Sequence, residues 1–315
     1  MILVTGSAGL LGRELVSQLA EEGPTVRGVD LAEPPGPPCE SMRGDLRDAA
    51  VCRSACDGVE AIVHAAALQH HSDVPRFGCE RFFAANVSMT RTLLDAALAA
   101  GVARIVLVSS DMVYGMPAAC PLDESHAPRP IGPYGRSKLE SERICEAARA
   151  RGMRVTILRP RLIIGPGRLG VLRRLFDRIR AGAPVPVLGS GVNRYQMVAV
   201  SDVAAACRLA LRCEAQGVFN LGSSDPPAVR DLLSELIRRA GSRSRLLTMP
   251  AAAANAALWT LHAIRMAPLV PEQFRIASVD YVLDTARAAR LLGWTPKQND
   301  VEMLWQAFQT YARHA

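Results

Sequence analysis

The chain has 315 residues, enough for one large domain or a domain with a smaller lobe, and its 49% hydrophobic and 21% charged residues are ordinary for a soluble globular protein. The formal net charge of +7 is spread along arginine-bearing helices and forms no solid basic block, so it favours acidic small molecules and argues against nucleic acid. Aromatic residues make up only 5%, which also argues against a surface that stacks bases.

The sequence carries no targeting, membrane or metal signal. No run approaches the ~20 apolar residues of a transmembrane helix, and the chain opens directly on a predicted strand. The eight cysteines include no CxxC pair and meet no histidine at zinc-finger spacing, so we expect reduced cysteines and no metal. We therefore expect a cytoplasmic protein without membrane contact.

A predicted buried strand, Ile2–Thr5, runs at once into a glycine turn and a helix over residues 11–20. The turn glycines stand at GxxGxxG spacing: Gly6, Gly9 and Gly12. The first allows a tight turn, the second lets a pyrophosphate approach the backbone, and the third packs helix against strand. Leu10 and Leu11, at the helix N-terminus, would then face the phosphates.

The second predicted strand, Val26–Asp30, ends in an acid. Asp30 lies 18 residues past Gly12, close to the ~20 residues expected for a carboxylate that binds an adenosine ribose. Leu31 and Ala32 follow it, so a 2′-phosphate would meet repulsion with no arginine directly after it. The pattern favours NAD over NADP; an aspartate that only ends the strand is the alternative.

Further strands and helices alternate up to residue 165. We predict a turn-rich loop at 34–38, a short third strand before Gly44-Asp45-Leu46, strands Ala61–His64, Arg104–Val108 and 155–158, and helices 81–100 and 134–150. Small residues, Ala65, Ala66 and Ala67, follow the fourth strand and would let a dinucleotide lie across the strand ends. This alternation predicts an α/β fold with a Rossmann-type, doubly wound parallel sheet.

Tyr134 and Lys138 stand four residues apart in the second of these helices, on one face. A cation close to a phenol lowers its pKa, which would make the tyrosine a proton donor and acceptor near neutral pH. Of the 37 Lys+Arg residues only Lys138 and Lys297 are lysines, which indicates a site that needs an ammonium. A solvated pair on a helix face is the alternative.

After Gly165-Pro166-Gly167 the alternation weakens. We predict a basic helix over 168–180, a short strand or loop at 184–187, strands at 197–200 and 218–221, a helix at 202–212 and a mostly helical remainder. The predicted domains are a dinucleotide-binding domain, 1–165 and 196–222, and a smaller, mostly helical substrate-binding lobe, 166–195 and 223–315.

Several short motifs occur together and in order: TGxxGxxG, GDL, HAAA, Asn86-Val87, SSxxVYG, PYGxSK, RPxxxxGPG and LGWTP. From Thr5 to Pro296 the chain thereby resembles the extended short-chain dehydrogenase/reductase family, of the NAD-dependent epimerase/dehydratase type. The resemblance implies NAD as the cofactor. It also implies a homodimer in which helices 81–100 and 134–150 pair across a two-fold axis.

The resemblance further implies roles for single residues. Tyr134 corresponds to the catalytic acid/base, Lys138 to the lysine that binds the nicotinamide ribose and lowers the tyrosine pKa, and Ser110 to the hydroxyl that hydrogen-bonds the reacting oxygen. Asn86 corresponds to a structural residue near the site. The expected cofactor contacts are Gly6, Gly9, Leu10, Leu11, Gly12, Asp30, Asp45, Leu46, Ala65, Ala66, Ala67, Tyr134, Lys138 and Pro160.

The expected substrate contacts are Ser110, Asp111, Met112, Arg194 and, more weakly, Arg168. Arg194 lies in a GxGxxxR…VxD pattern and resembles an arginine that contacts a substrate pyrophosphate, although an arginine that hinges the two lobes is the alternative. The 4,6-dehydratases carry Thr-Asp-Glu where this chain has Ser110-Asp111-Met112. Asp111 could act as a general acid there, but methionine cannot replace the second carboxylate, which argues against a standard dehydratase.

Two residues outside that set remain ambiguous. Sugar-nucleotide enzymes of this type often carry an asparagine at the place of Leu162, and leucine offers no hydrogen bond. His70 and His71 either touch substrate or form a solvated loop pair. The leading hypothesis is an NAD-dependent epimerase of a nucleotide-activated sugar; the alternatives are a net dehydrogenase or reductase of a hydroxysteroid-like alcohol or ketone, and a non-catalytic dinucleotide sensor.

Overall fold

The structure is a computed structural model that describes residues 1–33, 39–69, 81, 83–167, 170, 172–263 and 271–314. Its strands are β1 (Ile2–Thr5), β2 (Val26–Asp30), β3 (Glu40–Arg43), β4 (Ala61–His64), β5 (Arg104–Val108), β6 (Arg154–Pro160), β7 (Leu162–Ile164), β8 (Val185–Leu188), β9 (Met197–Ala199), β10 (Gly217–Leu221) and β11 (Leu246–Met249).

The α-helices lie between and after these strands. They are α1 (Leu10–Glu21), α2 (Ala49–Cys56), α3 (Met89–Ala99), α4 (Pro133–Arg149), α5 (Leu172–Arg180), α6 (Val200–Arg212), α7 (Val229–Arg239), α8 (Ala251–Ala263), α9 (Pro271–Phe274), α10 (Ala286–Leu292) and α11 (Asp300–His314).

Seven strands form one sheet in the order β10-β6-β5-β4-β1-β2-β3, and every neighbouring pair in it is parallel. The chain runs outward from β1 to β3, then returns to place β4 on the other side of β1. This reversal is the switch point beside which doubly wound sheets bind their ligands, at the carboxyl ends of the strands. The predicted α/β Rossmann-type architecture is confirmed.

Each face of the sheet carries its own apolar core. The strand β5 is buried along its whole length, as expected for a strand covered on both faces. Leu15 and Val203 belong to the core under α1 and α6, whereas Leu93 and Cys145 belong to the core under α3 and α4. These two layers hold the strand ends rigidly, so side chains just past β1, β4 and β5 have fixed positions.

The structure departs from the predicted elements at a few places. The helix expected over 81–100 is a π-helical segment, Phe83–Ser88, followed by α3. The motif segment after Pro160 contains an unpredicted strand, β7, which pairs with β9, and the unpredicted β11 pairs with β8. Strands of three or four residues form because they pair with a partner strand, and local propensity does not show that pairing.

Hydrogen bonds hold the late LGWTP motif against α6. The indole Nε1 of Trp294 donates to the carbonyl oxygen of Asp202 at 2.8 Å, and the Asp202 carboxylate accepts the backbone N–H of Lys297 at 3.0 Å. Two motifs far apart in the sequence therefore join α6 to the C-terminal segment. The division into two domains and the dimer remain predictions. Within the described residues, no helix combines the length and apolar character needed to cross a bilayer.

Candidate active site

The residues expected to carry the chemistry meet at the carboxyl end of β5. Ser110 lies just past that strand and caps a short 3-10 turn, Asp111–Val113, by accepting the Met112 N–H at 3.2 Å. Tyr134 and Lys138 lie on the first turns of α4, which begins with Gly132 as its cap and Pro133 in its first turn. The side chains of these residues are all buried: Ser110, Asp111, Tyr134 and Lys138.

A glycine lets the turn and the helix approach each other. A Cβ atom added at Gly135 would lie 2.4 Å from the carbonyl oxygen of Met112, far inside van der Waals contact. Glycine at this position therefore sets the distance between the segment that carries Ser110 and the helix that carries Tyr134. The sequence shows this residue inside PYGxSK, but its purpose depends on the contact.

Lys138 is held by the end of the neighbouring strand. Its Nζ donates to the carbonyl oxygen of Val108 at 2.7 Å. Burial lowers the pKa of this lysine from 10.5 to about 8, and the nearby Glu142 carboxylate opposes the change. The ammonium thus remains largely protonated at neutral pH at a considerable desolvation cost.

The expectation that the tyrosine has a lowered pKa is wrong for the chain's own groups. Burial raises the pKa of Tyr134 well above 10, and the negative charge of Asp111 raises it further. The ammonium of Lys138 donates to the Val108 carbonyl oxygen. Burial thus favours the neutral phenol of Tyr134, so its role as a base depends on positive charge close to the phenolate.

A buried polar network fixes α4 against the segment after β4. The Asn86 side chain exchanges hydrogen bonds with the backbone of Leu68, at 2.7 and 3.1 Å, and donates to the Ser137 hydroxyl at 2.9 Å. This geometry agrees with the structural role inferred for Asn86. His64 lies between the hydroxyls of Thr5 and Thr90, at 2.7 and 3.0 Å, and burial lowers its pKa to about 3, so it is a neutral core histidine.

The glycine turn forms a cradle of the kind that holds phosphates. Gly6 has φ +72°, and a Cβ there would lie 2.8 Å from the backbone N and Cα of Ala66. At Gly12 a Cβ would lie 2.1 Å from the Gly6 carbonyl oxygen, so α1 packs directly on the turn. The buried Ser7 hydroxyl has no hydrogen-bond partner among the described residues. A helix N-terminus, a close backbone and a spare hydroxyl fit a dinucleotide phosphate.

Asp30 stands beside this cradle at the end of β2. One carboxylate oxygen accepts the Ala8 N–H and the other the Ala32 N–H, both at 3.0 Å, which leaves lone pairs on each oxygen for ribose hydroxyls. Arg43, which no sequence pattern indicated, pairs with Asp30 across β2 and β3, and its Nε donates to the Leu31 carbonyl oxygen at 3.1 Å. An arginine does therefore lie beside the acid, contributed by the adjacent strand.

The other expected cofactor contacts lie at the same sheet edge, and their roles stay predictions. Asp45 is engaged by Arg47, through the backbone N–H at 2.9 Å and Nε at 3.0 Å, and hydrogen bonding by that arginine lowers the Asp45 pKa. Leu46 is buried in the core. The remaining positions are ends of elements: Leu10 and Leu11 at the start of α1, Ala65, Ala66 and Ala67 directly after β4, and Pro160 at the end of β6.

Asp111 has a partner that the sequence analysis did not identify. Its Oδ2 accepts Arg161 Nη1 at 2.6 Å, and its Oδ1 accepts the Ser110 hydroxyl at 3.0 Å. Burial raises the pKa of Asp111, and the charge of Arg161 opposes that rise. The guanidinium lies between the rings of Tyr195 and Tyr281, 4.0 and 4.1 Å from their centroids. The only indication of this partner in the sequence is that a second arginine directly follows the Arg-Pro pair.

The predicted substrate residues are only partly brought together. Arg194 is 46% exposed, its backbone N–H donates to Asp280 Oδ1 at 2.7 Å, and its Nε lies 3.9 Å from the same oxygen. Leu162 opens β7, directly after Arg161. Arg168, His70 and His71, as well as the loop 34–38, lie outside the described residues.

Comparison with known proteins agrees with this geometry. The model of the NAD dependent epimerase/dehydratase family matches residues 2–222. The solved structure of MoeE5 in complex with UDP-glucuronic acid and NAD is similar with 29% identity and a TM-score of 0.81, over 100% of this chain and 99% of that one. UDP-glucose 4-epimerase from Thermotoga maritima, solved with UDP-glucose, is 26% identical with a TM-score of 0.82, over 99% of both chains.

One curated relative is named for a different substrate class. The 3 beta-hydroxysteroid dehydrogenase/Delta 5-->4-isomerase of Mycobacterium tuberculosis is 37% identical over 191 residues. The match covers 58% of this chain and 52% of that protein, so it spans about half of the relative's length.

Proposed function

This chain belongs to the NAD-dependent epimerase/dehydratase family, with NAD as the cofactor, and from that premise we propose that it is an epimerase acting at a hydroxyl-bearing carbon of a nucleotide-activated sugar. The observation that carries the proposal is the buried group of Ser110, Tyr134 and Lys138 at the carboxyl end of β5. A hydroxyl, a phenol and an ammonium in this arrangement can move a proton to and from a substrate oxygen.

The chain's residues divide the chemistry among them. NAD, when bound, supplies the hydride acceptor and the positive charge of its oxidised nicotinamide ring. Tyr134 in its phenolate form would accept the proton of the substrate hydroxyl as the carbon gave up a hydride, and the positive charges of Lys138 and of the bound nicotinamide ring would favour that phenolate. Until that transfer, the oxygen of Ser110, whose own proton is donated to Asp111, would accept a hydrogen bond from the substrate hydroxyl. Lys138 would also hold the ribose. Return of the proton from Tyr134, with hydride delivered to the other face of the keto sugar, would complete an epimerisation.

Arg194 supports the nucleotide-sugar assignment. It is half exposed, and it precedes Tyr195, whose ring packs on the guanidinium that binds Asp111. A half-exposed guanidinium on the segment that packs against this group suits a substrate pyrophosphate. Similarity over the whole chain to enzymes solved with UDP sugars supports the same substrate class.

A second candidate is a net NAD-dependent dehydrogenase or reductase of a lipophilic alcohol or ketone. Leu162 provides no hydrogen bond where an amide is common, and the smaller lobe exposes apolar side chains, Leu247 at 54% and Trp259 at 48%. Apolar side chains exposed on this lobe favour a substrate with few polar groups. The similarity to a hydroxysteroid dehydrogenase favours the same candidate.

Parallel assays distinguish the two candidates. The protein is incubated with NAD and either UDP-glucose, UDP-glucuronic acid or a 3β-hydroxysteroid, while absorbance at 340 nm and product stereochemistry are followed. The epimerase proposal expects a new sugar epimer without lasting NADH. Stoichiometric NADH with the steroid, and no epimer from either UDP sugar, contradicts it and supports the second candidate. Tyr134→Phe provides the inactive control.

A further inference from the structure

We propose that Arg161 is a positioning residue that, clamped between Tyr195 and Tyr281, holds the Asp111 carboxylate ionised against Ser110 and so fixes the Ser110 hydroxyl beside the reacting oxygen. The ion pair of Asp111 with Arg161, which supports the ionised state, does not depend on the proposed function. Only the last step, the benefit to the reaction, rests on the proposed function.

The charge balance around Arg161 supports an ionised pair. A guanidinium remains protonated in proteins, and a buried charge without a counter-charge costs several kcal/mol. The Arg161 side chain is 2% exposed, and Asp111 is the carboxylate that pairs with it at 2.6 Å. Nη1 of Arg161 makes this bond, and within the part of the chain that the structure describes the carboxylate of Asp111 is the one hydrogen-bonded to the guanidinium.

The two tyrosine rings explain why the cation is an arginine. Both faces of the planar guanidinium are covered, at 4.0 and 4.1 Å from the ring centroids. A flat, weakly hydrated cation suits such a sandwich, whereas a lysine ammonium does not fill it. The sandwich leaves the guanidinium edge directed to Asp111 and fixes its position.

The Asp111 carboxylate in turn fixes the position of the Ser110 hydroxyl. The Ser110 Oγ atom donates to Asp111 Oδ1 at 3.0 Å and accepts the Met112 N–H at 3.2 Å. Two hydrogen bonds from opposite partners restrict the χ1 rotation of a serine, which otherwise has three staggered positions. A carboxylate accepts only, so its ionised form takes the serine proton and leaves the second lone pair of Ser110 Oγ to accept a hydrogen bond beside the reacting oxygen.

Other groups around the pair modify this balance. Tyr134 faces Asp111 from α4, and the hydroxyl of Tyr281 donates to the Asp111 carbonyl oxygen at 3.0 Å. The Oδ1 atom of Asp300 accepts the Met197 N–H at 2.9 Å. Burial raises the pKa of Asp300, and the charge of Arg161 opposes that rise. Burial alone raises the Asp111 pKa, so removal of Arg161 leaves that effect unopposed and the carboxylate takes up a proton.

The same contacts join the sheet to the smaller lobe. Tyr195 and Tyr281 pair through a parallel bridge, and the Tyr281 N–H donates to the Arg194 carbonyl oxygen at 2.9 Å. Arg161 therefore links the segment that carries Arg194 to the turn that carries Ser110. The position of the predicted phosphate contact and that of the reacting hydroxyl depend on one guanidinium.

Carbon-13 NMR of the protein labelled at its aspartate carboxyl carbons tests the charge state without a substrate. The Asp111 signal is assigned by its loss in Asp111→Asn. With NAD present, the expected result is the carbon-13 shift of a carboxylate at neutral pH in the wild type, and a shift toward the protonated carboxyl in Arg161→Met, because burial raises the Asp111 pKa and Arg161 opposes that rise. A wild-type Asp111 that is protonated at neutral pH overturns the proposal, even if the variant does not fold.

Kinetics on any substrate that turns over tests the positioning step. We expect Arg161→Met to lower kcat by about 100-fold near neutral pH, with NAD affinity within about 2-fold, and part of the loss to recover at higher pH as Asp111 ionises. Arg161→Lys restores the pH profile but not the full kcat. The losses of Arg161→Met and Asp111→Asn should not add in the double variant. An equal loss at every pH, or additive losses, overturns the positioning role.

Discussion

Lys138 makes a specific prediction about how stability depends on pH. Burial lowers the pKa of its ammonium from 10.5 to about 8 in the folded chain, while the unfolded chain keeps the ordinary value. Between these two values the unfolded chain binds more protons than the folded chain, so the free energy of unfolding rises with pH. A difference of this size corresponds to about 3 kcal/mol, at about 1.4 kcal/mol for each pKa unit.

Urea unfolding of wild type and Lys138→Met, from about pH 7 to about pH 10, measures this contribution. Below pH 8 the charged lysine penalises the folded chain, so Lys138→Met should be the more stable protein there, and its advantage should shrink toward pH 10. Cysteine and tyrosine ionisations affect both proteins alike and cancel in the difference. Lys297→Met is a matched control, because Lys297 is the other lysine and is exposed. A difference between wild type and Lys138→Met that stays constant across this range refutes the reasoning.

The remaining predictions concern the cofactor, the site and the assembly. Tyr134→Phe should abolish turnover and leave NAD affinity within about 2-fold, by kinetics and fluorescence titration, because the ring keeps its packing; retained turnover places the acid/base elsewhere. Asp30→Asn should raise NADP affinity relative to NAD by about tenfold, since a repulsive charge is removed beside Arg43, and an unchanged ratio contradicts that position for the ribose. Gly135→Ala should destabilise the protein by about 1–3 kcal/mol in thermal unfolding and lower kcat, because the added methyl meets the Met112 carbonyl. Light scattering should give the mass of a dimer, and a monomer at all concentrations contradicts the homodimer. A charged substitution at Phe83, which is 39% exposed on the segment expected to pair, should weaken the dimer.

Local patterns were sufficient for the parts of the molecule that neighbours in the sequence build. The strand, glycine turn and helix from Ile2 to Glu21 form one continuous segment, so spacing alone predicted the cradle. Tyr134 and Lys138 share a helix, and helical geometry places them on one face. Alternation of strands and helices sufficed for the parallel sheet because a helix that crosses over the sheet lets the next strand run in the same direction.

Only the tertiary structure decided what lies beside these residues. Arg161 reaches Asp111 because β5 and β6 are adjacent in register, which brings together ends 50 residues apart. Arg43 stands next to Asp30 because β3 pairs with β2, and no pattern within either strand contains that pairing. The protonation of Tyr134 also depends on burial, which the whole fold creates, and desolvation reversed the direction that the nearby lysine implies.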